Sequence, residues 1–118
     1  MSNKNKNIET GKKGEDMAVE YLTGQGYQIL NRNYRSGNSE VDIIAIDGNE
    51  LVFIEVKARA HDRFGYPEES VDDAKQEAIQ SVAEAYISNE GWNGDIRFDI
   101  IAITFSESPP VYHMIDAF

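Results

Sequence analysis

The sequence predicts a mixed α/β fold, a sheet flanked by helices in the order helix, three strands, helix, two strands. Two runs rich in β-branched residues, Val41–Ile46 and Leu51–Ala58, are apolar on both faces, as central strands are. Only Asp47-Gly48-Asn49-Glu50 separates them. Apolar residues at helical spacing stand on either side of this pair, beginning at Thr10 and again after Ser70. Two further strand-length runs follow, Arg97–Thr104 and Val111–Ile115, with Ser108-Pro109-Pro110 breaking them apart.

The first helix presents Ala18, Tyr21 and Leu22 on one face and stops at Gly24-Gln25-Gly26, where glycine suits a helix end. Glu15 precedes Ala18, Val19 and Leu22 at same-face spacings, so it points along the packing side. Tyr27–Tyr34 reads as the first strand, with Tyr27 and Ile29 on one face, Leu30 on the other, and Arg32 and Arg35 at its far end. The polar segment from Ala60 to Glu69 is a loop. Ser70 then caps a second helix whose first turn places Asp72 and Asp73 beside the positive end of the helix dipole. Val71, Ala74, Ala78, Val82 and Ala85 form its expected apolar stripe, with Lys75 on the same side. Asn89–Asp95, with Gly91 and Gly94, is the loop back to the sheet. Short connections imply an antiparallel meander for the first three strands, and the long helical crossover allows a parallel neighbour for the fourth.

A chain of 118 residues, 41% hydrophobic and 27% charged, is sized and composed for one domain with one modest core. Residues 1–9 read as a disordered tail ahead of a single domain over 10–118; the Lys/Asn alternation of Met1–Asn7 resembles neither a signal peptide nor a membrane anchor. With no cysteine there is neither a disulfide framework nor a thiolate zinc site, which suits a cytoplasmic protein. The net charge of −10 is uneven: +2 over residues 1–35, −3 over 36–65 and −9 over 66–118. A nucleic acid would therefore approach the N-terminal half, because phosphate contacts depend on Lys and Arg. The acidic C-terminal half is instead suited to docking a protein partner.

If Gly48 and Asn49 form a two-residue hairpin loop, Asp42 falls opposite Glu55, and Glu40 opposite Lys57, on one sheet face. Facing carboxylates repel across antiparallel strands, so the arrangement makes most sense with a divalent cation between them. Asp42, Glu55 and Glu15 would supply oxygen ligands of the kind Mg²⁺ or Mn²⁺ prefers. Lys57 would orient the attacking water in phosphodiester hydrolysis. Arg32, Arg35, Arg59 and Arg63 are candidate clamps on a phosphate backbone, and Lys75 a phosphate contact near the site. The plainer alternatives are a solvated strand face with a Glu40–Lys57 ion pair worth about 0.2–1 kcal/mol, a helix-surface Glu15, and a Lys75 lying along an apolar stripe. One extra loop residue would send Asp42 and Glu55 to opposite faces.

The stretches Gly11-Lys-Lys-Gly-Glu15-Asp-Met-Ala18, Asn31-Arg32-Asn33-Tyr34-Arg35, Glu40-Val-Asp42-Ile-Ile-Ala45, Val52-Phe-Ile-Glu55-Val-Lys57-Ala-Arg59, Phe64-Gly65-Tyr66-Pro67 and Arg97-Phe98-Asp99 together resemble the YraN-like uncharacterised family. Their layout is similar to the PD-(D/E)xK nuclease superfamily, and within it to archaeal Holliday junction resolvases, which carry a Glu on the first helix, then Asp, then Glu-x-Lys. Val41 stands where the superfamily name has proline, and Gly37-Asn38-Ser39-Glu40-Val41-Asp42 departs from the Gly-Glu-x-Asp turn often found in relatives.

The resemblance implies a restriction-endonuclease-like core with a mixed five-stranded sheet, and puts Glu15, Asp42, Glu55 and Lys57 in the metal and catalytic positions. It implies a Mg²⁺- or Mn²⁺-dependent DNA endonuclease, with branched DNA favoured by analogy and a two-fold dimer as the natural way to meet it. The rival expectation is an adaptor that keeps the nuclease fold and binds nucleic acid or protein without useful turnover. No membrane partner is expected.

Overall fold

The structure, a computed structural model, describes residues 3–60 and 71–118, with side chains from residue 11 onward. Its elements are α1 (Asn3–Gly24), β1 (Gln28–Ser36), β2 (Ser39–Asp47), β3 (Glu50–Arg59), α2 (Asp73–Glu90), β4 (Asp95–Thr104) and β5 (Val111–Met114). The strands form one sheet in the order β1-β2-β3-β4-β5; β3 and β4 are parallel and the other neighbours antiparallel. Helix α1 starts earlier than the apolar spacing from Thr10 indicates, because the Lys/Asn-rich segment before it has no periodicity to read.

The β2–β3 hairpin closes as expected, with Asp47 paired to Glu50 around a Gly48-Asn49 loop. Gly48 takes a φ of 63°, which glycine adopts without a Cβ clash. This register buries a layer on each side of the sheet. Ile43, Ala45, Val52 and Ile54 pack with Ala18 and Leu22 of α1, while Ile44, Leu51 and Phe53 pack with Ile79, Val82, Ala83 and Tyr86 of α2.

The buried stripe of α2 differs from the expected one. Val82 is shared and Val71 is buried just ahead of the helix, but Ala74 is exposed and Ala78 and Ala85 are only half-buried. Burial favours the larger apolar area, so the helix turns to bring in Ile79 and Tyr86, and Tyr86 meets Tyr34 and Phe53 edge-on. The N-cap also differs. Asp72 accepts from the Lys75 backbone N–H at 2.9 Å, while Ser70 lies outside the described residues, as do Arg63 and the Phe64-Gly65-Tyr66-Pro67 stretch.

Helix α1 comes so close to β3 that a Cβ at Gly14 would collide with the Ala58 side chain. Gly14→Val is therefore expected to lower stability by about 1–3 kcal/mol through overpacking, read as a drop in urea midpoint. The same close approach sets the depth at which the next residue, Glu15, meets the sheet.

Candidate metal centre

Side chains alternate along β3, so Glu55 follows Phe53 onto the α2 face and Lys57 follows Glu55. Glu55 is only 5% exposed, an unusual depth for a carboxylate. On β2 the ladder to β3 ends at the Ile43–Ile54 pair, and the ladder to β1 skips from Arg32–Ile43 to Tyr34–Val41. Asp42 sits in the gap of both. Strict alternation would place Val41 with Ile43 on the α1 face, yet Val41 is buried on the α2 face beside Ile44. The backbone therefore kinks at Asp42, as strands do where a side chain is re-aimed. Across the gap Asn33 adopts φ 54°, a left-handed conformation that asparagine tolerates better than most residues.

This kink lets the Asp42 carboxyl reach β3, where Oδ2 accepts the Val56 N–H at 2.8 Å. The carboxyl also makes hydrogen-bond contact with Glu55. Burial, followed by the hydrogen bond and negative charge of Glu55, pushes the Asp42 pKa up to about 8; the Val56 N–H and the Lys75 charge oppose the rise only in part. Glu55 Oε2 is buried and accepts no hydrogen bond. Lys75 Nζ stands 3.2 Å from it, angled so that the contact is Coulombic and not a directed bond. An orphaned buried carboxylate oxygen beside a carboxyl that holds its proton near neutrality is a donor set short of positive charge, and a hard divalent cation suits it.

The other expected residues fall around this pair. Lys57 is half-buried on the same face and makes no ion pair among the described residues. Glu15 is held away from the pair on α1: its Oε1 accepts from Arg32 Nε at 3.1 Å, Arg32 Nη2 at 3.0 Å and Asn33 Nδ2 at 3.0 Å. Asn33 lies opposite the Asp42 gap, so Glu15 reaches the neighbourhood without joining the pair. Among the described residues no group of three or more His, Asp or Glu side chains is gathered to hold a metal. Arg32 also bonds Asp16 at 2.7 Å and is thus tied to α1. Arg35 pairs with Glu40 at 3.1 Å, which replaces the Glu40–Lys57 pair anticipated from the hairpin register. The reason is local: Glu40 lies directly across from Arg35 on β1, beyond the point where β2 leaves β3. Arg59 ends β3 opposite Thr104 of β4.

A second polar cluster, with no site role in the sequence reading, occupies the hairpin end of the sheet. Asp99 is fully buried and accepts from Arg97 Nε at 2.9 Å, Arg97 Nη2 at 3.0 Å and the Asp116 N–H at 3.0 Å, and pairs with His113 Nε2 at 2.7 Å. Arg97 extends the cluster to Tyr27, Asp47 and Glu50, and His113 Nδ1 meets Tyr21 Oη at 3.1 Å. Burial alone would raise the Asp99 pKa, but the hydrogen bonds from His113, Arg97 and Asp116 outweigh it and the carboxyl falls below its usual range. Every buried charge here has a partner, so the cluster ties α1, the hairpin, β4 and β5 together. His113 was invisible beforehand because its partners lie far away in sequence.

The chain is 48% identical over 109 residues to a UPF0102 protein of Cytophaga hutchinsonii, covering 92% of this chain and 95% of that one. It is 42% identical over 125 residues to a UPF0102 protein of Chlorobium chlorochromatii, covering 100% and 97%. A third relative, from Thermodesulfovibrio yellowstonii, is 46% identical over 111 residues, covering 94% and 96%. Among the described residues no helix is long and apolar enough to cross a membrane. Residues 14–103, from the glycine that seats α1 to the penultimate residue of β4, match the family profile, and the chain belongs to the Uncharacterised protein family UPF0102.

Proposed function

We propose that this protein is a cytoplasmic, divalent-metal-dependent nuclease of the PD-(D/E)xK type that hydrolyses phosphodiester bonds in DNA. The observation carrying this reading is the Asp42–Glu55 pair: two carboxyl groups from separate strands in contact, one with its pKa raised to about 8, the other with a buried oxygen lacking a hydrogen bond. Asp42 and Glu55 would hold Mg²⁺ or Mn²⁺. The bound cation supplies a Lewis acid beside the scissile phosphate and favours ionisation of a nearby water. Asp42 would have to give up its proton to solvent to serve as a ligand, and both carboxylates would then be balanced by the cation's charge. Lys57, on the same face, orients the attacking water and offsets charge on the phosphorane. Glu15 supports the site from α1 by fixing Asn33 beside the Asp42 kink. Arg59 and Lys75 would contact the phosphate backbone, Arg32 and Arg35 would offer it the N–H groups left over from their pairs with Glu15 and Glu40, and a two-fold dimer would offer two such sites to a branched substrate.

One observation favours a second reading, an adaptor that retains the fold. Glu15 is tied to Arg32 and Asn33, and no three-acid group is gathered among the described residues. The strongly acidic C-terminal half would then serve to dock a protein. Cleavage assays with Mn²⁺ on four-way-junction DNA, duplex DNA and RNA separate the two. A nuclease should cut at least one of the DNA substrates, and Glu55→Gln should reduce that rate on the order of 100-fold or more, as loss of a group stabilising transition-state charge does. Inactivity on every substrate supports the adaptor.

A further inference from the structure

The acid pair already has a positive charge lodged against it. Lys75 belongs to the first turn of α2, where its backbone N–H is fixed by the Asp72 cap at 2.9 Å, so the base of the side chain is anchored. Its ammonium is not. It stands 3.2 Å from Glu55 Oε2, that oxygen receives no directed hydrogen bond from it, and the lysine side chain is 42% exposed. A long stem anchored at one end, with its head held by charge alone, can swing into water once another cation takes its place against the buried Glu55 oxygen, so that no bare charge is left behind. Arg32, Arg35 and Arg97 have no such freedom to serve the pair, being engaged with Glu15, Glu40 and Asp99 respectively.

We propose that Lys75 is the resident counter-ion of the acid pair and that a divalent cation enters by displacing its ammonium. This rests on the reading of Asp42 and Glu55 as the cation site. An ammonium and a divalent cation within about 4 Å of each other repel strongly where water is scarce, so the two cannot share Glu55 Oε2. The displaced head stays on the α2 face, which also carries Lys57, at the mouth of the site. There it becomes a free positive charge for a phosphate. Loading therefore does two things at once: it fills the acid pair and releases a substrate contact that the unloaded protein keeps occupied. The order of events follows, with the cation first and the polyanion second.

The test is a Mn²⁺ titration of the full chain without nucleic acid, following the free ion by electron paramagnetic resonance. Lys75→Gln is expected to bind Mn²⁺ roughly tenfold more tightly than the natural chain, the gain from removing a competing ion pair. Lys57→Gln, which removes a neighbouring charge without a lodged contact, should change affinity much less. Equal affinity in Lys75→Gln and the natural chain, or an equal gain in Lys57→Gln, overturns the exchange while leaving the cation site standing. Binding that persists undiminished in Asp42→Asn overturns the cation site itself, and the exchange with it. A second measurement needs no substitution at Lys75: in the natural chain, NMR relaxation of the Lys75 Cε–H group should report a more mobile head on adding Mg²⁺. Unchanged relaxation at saturating Mg²⁺ counts against displacement.

Discussion

Asp42→Asn is expected to abolish Mn²⁺ binding and nuclease activity together, and to do so while making the protein more stable at alkaline pH. The two effects share a cause. In the natural chain the Asp42 carboxyl has a pKa of about 8, raised first by burial and then by Glu55. A carboxyl whose folded value lies above its unfolded value of 3.8 stabilises the fold fully below about pH 4, and that contribution is lost as pH rises to about 8. An amide cannot ionise, so the variant escapes the loss. Urea unfolding at pH 5 and pH 8.5 should show the variant gaining relative to the natural chain by a few kcal/mol, at most about 1.4 kcal/mol for each pH unit crossed. Saturating Mn²⁺ should remove the alkaline penalty in the natural chain and leave the variant unchanged, because a ligand stabilises only the form that binds it. A variant no more stable than the natural chain at pH 8.5 would mean that Asp42 is already ionised and compensated.

The largest structural effect is expected at the opposite end of the sheet. Asp99→Ala should cost about 3–5 kcal/mol, the usual result of removing one member of a buried ion pair, measured by urea denaturation at pH 7. The Arg97 guanidinium, its side chain only 9% exposed, would keep Asp47 and Glu50 at the rim but lose its buried partner. His113 would lose its Nε2 contact, and the Asp116 N–H its acceptor. Asp47→Asn, at a rim residue 40% exposed, should cost no more than about 1 kcal/mol. The pH dependence has the opposite sign to that of Asp42. The Asp99 carboxyl lies below its ordinary value, so its contribution is present above about pH 4 and disappears as pH falls through the lowered value. Between them the two residues favour a mildly acidic maximum, bounded by Asp99 on the acid side and by Asp42 on the alkaline side.

Both residues were in plain view in the sequence, yet they differ in how far it could interpret them. The shared face of Asp42 and Glu55 was readable because a two-residue turn leaves one register for two long apolar strands, although the ladder itself stops at Ile43–Ile54 and the kink at Asp42 makes the contact. The meander and the element order were readable for similar reasons, since connection lengths and apolar runs are local, and the long crossover left room for the parallel fourth strand that forms. Arg97 and Asp99, two residues apart on one strand, gave no sign that His113, Tyr27 and the hairpin turn would converge on them.

What the amino-acid order determined alone is whatever depends on near neighbours: five strands, two helices, the hairpin register, and the common face of the two acids. What tertiary packing decided is the rest. It rotated α2 to bury Ile79 and Tyr86, kinked β2 at Asp42 so that the carboxyl could take the Val56 N–H, drew Arg32 onto Glu15, and set the Lys75 ammonium against Glu55. Each of these outcomes is a competition among groups distant in sequence for the same space, hydrogen bond or charge, and only the folded arrangement fixes which of them wins.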